Sequence, residues 1–226
     1  MLGTMEVEME DPIRNYWQLR LTHVKEALEG NNFEAFIAET AEEAKRIMKE
    51  EILPELRDIK IVARGDSLTL EATGMLEVIE DNTAFDFVDP FEKGLSDEEM
   101  SERGRQALLS DLFFTGTNAL TETGVLVNLD GWGNRVAGLT YGPEYVIVTV
   151  GRNKIVPELD DAMYRIKDYA APINAMRFDM KTPCVKTSFC EDCKSPDRIC
   201  SSWTITEKSF PKGRIKVILI NQDLGF

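Results

Sequence analysis

Between Asp111 and Lys154 three apolar segments crowd together: Leu112-Phe113-Phe114, Val125-Leu126-Val127 and Tyr145-Val146-Ile147-Val148-Thr149-Val150. Gly- and Asn-rich turns separate them, and a helical stretch around Asn134 to Tyr141 lies among them. Upstream, the same alternation holds. A helical pattern opened by Asp11-Pro12 carries Ile13, Tyr16, Trp17, Leu21, Val24 and Leu28 and stops at Gly30. Phe33-Glu34-Ala35-Phe36-Ile37 reads as a strand, Thr40-Ala41-Glu42-Glu43 as a capping box for a helix reaching Leu53, and Ile59 to Ala63 as a second strand. A third helix follows Ser67, a helix is expected over 97–109, and another over Pro157 to Tyr169. Strands alternating with helices at this spacing predict an α/β fold, a mostly parallel sheet with helices on both faces. Such sheets take ligands at the carboxyl ends of their strands.

The chain has 26 Lys+Arg against 40 Asp+Glu, a formal net charge of −14. That balance argues against nucleic acid as a partner, since phosphate neutralisation needs a basic surface. Between Glu77 and Glu102 ten carboxylates face the single basic residue Lys93, a charge run that reads as a strand and a solvated helix start. No apolar stretch is long enough for a membrane span, and the first residues lack the basic and apolar regions of a signal peptide. The expectation is a cytoplasmic protein with residues 1–10 as a flexible N-terminus.

From Lys181 to Phe226 there are 8 Lys+Arg and 5 Asp+Glu, against the acidic balance of residues 1–180. This contrast suggests a division into an α/β domain over 1–180 and an appended element over 181–226 that ends in a strand at Lys216–Ile220. All four cysteines, Cys184, Cys190, Cys193 and Cys200, fall there at Cys-x5-Cys-x2-Cys-x6-Cys spacing. A reducing compartment keeps thiols free, and a Cys-x2-Cys turn can present two thiolates to one metal. A metal or iron-sulfur site is the reading, with a slight preference for a 4Fe-4S cluster over Zn. Only one Cys-x2-Cys knuckle is present, and the ferredoxin spacing is absent as well. Redox thiols are the alternative.

Two further groups of residues suggest a small anionic ligand. Arg64-Gly65-Asp66-Ser67 sits between a strand and a helix, where glycine lets main-chain N–H groups face an anion; Ser67 as a plain helix cap explains the same residues. Thr115, Gly116, Asn118, Asn128, Asp130, Asn134 and Arg135 concentrate polar groups beside apolar strands, as in a lined pocket, although Asn and Asp also simply make turns. Arg135 and Lys154 are its expected cations, and Glu122 its one carboxylate placed for acid/base or nucleophilic work. His23, the only histidine, lies in the first helix, so enzymatic chemistry here would fall to carboxylates, lysine or the metal.

Gly65-Asp66-Ser67, the run from Asp111 through Arg135 with its Thr-Gly-Thr-Asn-Ala and Gly-Asn-Arg-Val-Ala elements, Tyr141-Gly142-Pro143 and Val150 to Val156 together resemble the LUD (lactate utilisation) domain proteins of LutC/YkgG type. The resemblance runs from about Tyr16 into the cysteine segment. It implies a Rossmann-like sheet of the NagB/RpiA/CoA-transferase type and a role in bacterial L-lactate oxidation, beside iron-sulfur partner subunits. The cysteine segment departs from the LutC members that lack it and favours a redox or metal-carrying paralogue. The alternative implied is a metal-stabilised enzyme acting on a phosphorylated or CoA-linked substrate, with Glu122 as base or nucleophile. Either reading leaves room for an oligomer.

Overall fold

A computed structural model describes residues 12–226, so the Asp11 cap and the expected flexible segment 1–10 lie outside the described residues. In chain order the elements are α1 (Pro12–Gly30), β1 (Glu34–Ala38), α2 (Ala41–Ile47), β2 (Ile61–Arg64), α3 (Leu68–Ala72), α4 (Met75–Glu80), β3 (Asp86–Val88), α5 (Asp97–Ala107), β4 (Leu112–Gly116) and β5 (Ala119–Thr121). They continue with β6 (Leu126–Asp130), α6 (Asn134–Thr140), β7 (Tyr145–Gly151), β8 (Ile155–Val156), α7 (Leu159–Arg165), α8 (Ala171–Arg177), α9 (Pro183–Thr187), β9 (Ser202–Thr206) and β10 (Ile215–Ile220).

Six strands form one sheet in the order β1-β10-β7-β4-β2-β3, every neighbouring pair parallel. All residues of β4 and β10 are buried, as strands covered on both faces must be. On one face α2, α3 and α4 contribute Ala44, Ile47, Leu70, Met75 and Ile79 against Leu112, Phe114, Ile147 and Ile218. On the other, Leu21, Val24 and Leu28 of α1, with Ala107 of α5 and Leu139 of α6, pack on Phe113, Val146, Val148 and Val217. Fully burying one such side chain contributes about 1.5–3 kcal/mol, which makes these two layers the main source of stability.

A second, four-stranded sheet has the order β8-β5-β6-β9, with β5–β6 and β6–β9 antiparallel. Its outer side packs on α7 and the turn after it through Val127, Leu129, Ala162 and Ile166. The short strand β5, not expected from the sequence, lies between Asn118 and Glu122, and Ala119, Leu120 and Thr121 are all buried.

Caps fix the helix starts. Ser96 and Glu99 form the capping box of α5. Thr40 Oγ1 accepts from Glu43 N–H, while the Glu43 carboxylate accepts one residue earlier, from Glu39 N–H. The expected third helix breaks into α3 and α4 at Gly74, whose φ of 63° a side chain would strain. The helix expected over Pro157 to Tyr169 passes through a wide turn at Ile166–Ala170 into α8 and ends at Arg177.

The division expected after residue 180 is crossed by the sheet itself. β10 lies between β1 and β7, with Phe36 opposite Ile218 and Val148 opposite Val217, so the segment read as appended supplies an inner strand. Its six consecutive buried residues need covering on both faces, and an inner position provides that. Among the described residues no helix is long and apolar enough to cross a membrane.

Candidate functional site

The strand order creates a crevice. From β2 the chain moves to β3 through α3 and α4; from β4 it moves the other way, to β7 and β10, through β5, β6 and α6 on the opposite face. β2 and β4 are neighbours, so their outgoing connections part at the carboxyl ends, the switch point at which open α/β sheets bind ligands. Arg64, Gly116 and Gly151 end β2, β4 and β7 on this one rim.

Close approach of the two connections needs glycine. A β-carbon on Gly65 would stand 2.9 Å from Arg135 Cγ, and one on Gly116 would collide with Ser67 Oγ. Gly65 N–H donates to Phe114 O at 2.8 Å, and Ser67 caps α3 by accepting from Leu70 N–H at 3.2 Å. Thr115 is buried beside Gly65.

Arg135 sits at the centre of a buried network. Its Nε donates to Asp130 Oδ1 (3.0 Å), Nη1 to Asn128 Oδ1 (2.5 Å) and Nη2 to Asn118 Oδ1 (2.8 Å). Asp130 also accepts from the main-chain N–H groups of Arg135 and Val136, which ties the start of α6 to the end of β6. The guanidinium is therefore spent on internal acceptors. Arg64 is spent as well, bonded to both oxygens of Asp89 (2.8 and 3.2 Å) and to Glu71 (3.3 Å), under the ring of Phe91. Asp66 pairs with Arg177 through both carboxylate oxygens.

Lys154 differs from these. It is 6% exposed, its Nζ donates to Thr117 O at 3.1 Å, and among the described residues no carboxylate pairs with it. Burial, with Arg165 and Arg135 nearby, pushes its pKa down to about 7. Arg165 of α7 donates to Asn118 O (2.8 Å) and Asn153 O (3.2 Å), lies over the Tyr169 ring, and also has its pKa lowered by burial. The sequence reading missed Arg165. Helical spacing offered the clue, since Arg165 falls on the face of Ala162 and Ile166, both buried.

Main chain from 221–225 crosses this rim. Thr69 Oγ1 donates to Leu224 O (2.9 Å), Asn153 Nδ2 to Gly225 O (3.1 Å), and Leu224 N–H to Asn153 Oδ1 (3.1 Å). A β-carbon on Gly225 would stand 3.3 Å from Lys154 Nζ.

The crevice thus gathers Gly65, Ser67, Thr115, Gly116, Asn118, Asn128, Asp130, Arg135 and Lys154, with Arg64 and Asp66 at its edge in ion pairs. Asn134 starts α6 facing Gly104 of α5, outside the network. Glu122 follows β5 at the end away from Asn118 and pairs with Arg20 of α1, whose guanidinium lies over Tyr16 and Trp17. It bonds none of the crevice side chains.

A second centre lies between α8 and the loop after α9. Cys184, Cys190, Cys193 and Cys200, all half-buried, line one cavity with Pro172, Ala175, Lys167 and Arg198. Arg198 holds the loop by donating to Cys193 O (2.7 Å) and Cys200 O (2.8 Å), and it shares Asp192 with Lys167. The Arg198 pKa is raised, with its interaction with Cys200 the largest cause. Among the described residues no three His, Cys, Asp or Glu side chains are drawn tightly enough together to ligate one ion; the thiols ring the cavity. As a donor set, four sulfurs beside two cations fit a thiophilic metal or an iron-sulfur core.

The family profile described as LUD domain matches residues 21–220. No curated protein matches the chain. Among solved structures, a DUF162 family protein from Deinococcus radiodurans aligns at 14% identity and a TM-score of 0.48, over 92% of this chain and 98% of that one. The eIF2B delta subunit from Chaetomium thermophilum aligns at 17% identity and a TM-score of 0.30, over 53% of this chain and 50% of that one.

Proposed function

The chain belongs to the LUD domain family, related to lactate utilisation proteins, and on that premise we propose that it is a LutC-like, metal-carrying component of L-lactate oxidation or a related redox pathway. The observation that carries this reading is that all four cysteines line one cavity. Cys184, Cys190, Cys193 and Cys200 would hold the group, a 4Fe-4S cluster in preference to Zn. A cluster would supply one-electron transfer, handing electrons to iron-sulfur partner subunits. Lys167 and Arg198 beside the thiols offset the negative charge that four thiolates bring. The switch-point crevice serves in this reading as the pocket for a small anionic ligand. Glu122, held by Arg20 outside the crevice, lends no support to the alternative of an enzyme acting on a phosphorylated or CoA-linked substrate.

Anaerobic purification followed by elemental analysis tests the proposal. Iron and sulfide with broad absorption near about 400 nm are expected, lost in the Cys193→Ser variant. Stoichiometric zinc in colourless protein would keep the metal centre and remove the redox role. Neither metal, with four freely titratable thiols in the folded protein, would refute both.

A further inference from the structure

Resting on the anionic-crevice reading above, we infer that Lys154 and Arg165 are the charge-bearing subsite of the crevice, that this subsite takes a small oxyanion, and that the 221–225 segment is its exchangeable roof. The argument starts from charge. Arg64, Arg135, Arg152 and Arg177 at this rim each pair with a carboxylate, Asp89, Asp130, Asp223 and Asp66 in turn. Lys154 and Arg165 bond to main-chain carbonyls, Arg165 lies also over the Tyr169 ring, and among the described residues neither is paired with a carboxylate, in a protein whose net charge is −14. A buried cation left without a counter-charge is costly, and none of the described carboxylates pairs with either side chain.

A second observation points the same way. Asn128 is fully buried and its Nδ2 has no hydrogen-bond partner. The amide is not free to turn over, because its Oδ1 accepts from both Arg135 Nη1 and Asn118 N–H. Asn118, whose main-chain N–H donates to Asn128, presents its carbonyl to Arg165, which ties Asn128 to one of the cations through a shared neighbour; across the β6–β9 pair Asn128 stands opposite Thr204, whose Oγ1 is likewise unpartnered. Ammonium, guanidinium and an unused amide N–H are all donors. A ligand rich in acceptors and carrying negative charge, a carboxylate or a phosphate, answers the ammonium and the guanidinium together.

The roof explains how the subsite stays closed without that ligand. Gly225 lets main chain pack over this corner: a β-carbon there would stand 2.6 Å from Thr69 Oγ1 and 3.3 Å from Lys154 Nζ. On this side the segment is held by three hydrogen bonds, Thr69 Oγ1 to Leu224 O, Asn153 Nδ2 to Gly225 O and Leu224 N–H to Asn153 Oδ1, each contributing about 0.5–1.5 kcal/mol, while Arg152 anchors its start through Asn221, Gln222 and Asp223. An entering oxyanion replaces main-chain dipoles over the lysine with a full charge.

Calorimetric titration of the full chain with inorganic phosphate and with lactate, against chloride at equal ionic strength, is the test, with hydrogen exchange followed at 221–225. Saturable binding is expected, weakened at least tenfold by Lys154→Met and by Arg165→Gln and partly restored in Arg165→Lys, together with faster exchange at Leu224 in the complex. Binding of phosphate alone identifies a phosphoryl ligand and of lactate alone a carboxylate; either supports the subsite. Binding that both substitutions leave unchanged overturns this inference while the crevice reading stands. No saturable binding of either anion overturns both, and unchanged exchange at Leu224 on binding overturns the roof.

Discussion

Replacing Lys154 by Met should stabilise the protein at neutral and acid pH and do so less as the solution becomes alkaline. The lysine has an ordinary pKa of 10.5, brought down to about 7 in the fold by burial and two neighbouring arginines. Below pH 7 the amine is charged in both the folded and unfolded chain, and the whole cost of burying that charge is present. At about 1.4 kcal/mol per tenfold change in the protonation equilibrium, the difference corresponds to about 5 kcal/mol, an upper bound. As pH rises from 7 toward 10.5 the folded lysine is neutral while the unfolded one still binds a proton, so stability climbs. By pH 9 the cost has dropped to about 2 kcal/mol. Loss of the hydrogen bond to Thr117 O subtracts about 1 kcal/mol from the gain at every pH. Urea unfolding of both proteins at pH 6, 7.5 and 9 isolates the effect, because other titrating groups cancel in the difference. The advantage of the variant should shrink by about 3 kcal/mol across that range. A gap that stays constant or widens with pH would refute the claim that Lys154 is a buried amine without a counter-charge.

Two other perturbations probe the crevice walls. Arg135→Met should cost about 3–5 kcal/mol in urea unfolding, because it leaves Asp130 buried without its partner, and adding Asp130→Asn should recover part of the loss. Gly116→Ala should cost about 1–3 kcal/mol by driving a methyl group into Ser67, while Ser67→Ala alone should cost about 1 kcal/mol through the lost cap. In the double variant the hydroxyl that the methyl strikes is gone, so the combined loss should fall short of the sum; strict additivity would show that the two residues do not touch.

The fold was legible where local pattern and tertiary position coincide. β4, β7 and β10 are mostly apolar runs because both their faces are covered, and the end of α1 is marked by Gly30. The position of β10 was not legible, since the basic composition of residues 181–214 masks a strand whose partners lie at Glu34–Ala38 and Tyr145–Gly151. Side-chain charge says nothing about which strand a segment will lie beside. Most residues singled out for the pocket do come together on one rim, because glycines and asparagines stand at the ends of adjacent parallel strands. Their roles were harder: Arg64 and Arg135 look like receptors for an anion until Asp89 and Asp130 are seen beside them, one of them 25 residues away in the chain. Glu122 was misleading for the same reason, its partner Arg20 being supplied by α1.

The place of β10 has a consequence for the order in which the molecule can be made. Until residues 215–220 emerge from the ribosome, β1 and β7 each present a bare row of main-chain donors and acceptors to a vacant slot in the sheet. The gap between Glu34 and its partner Lys216 is 182 residues, so at about 5–20 residues per second β1 waits roughly 10–40 s for its neighbour. During that interval the nascent chain is a two-part object with sticky edges, vulnerable to pairing with other chains. Its survival then depends on how quickly one late hexapeptide threads between strands already built.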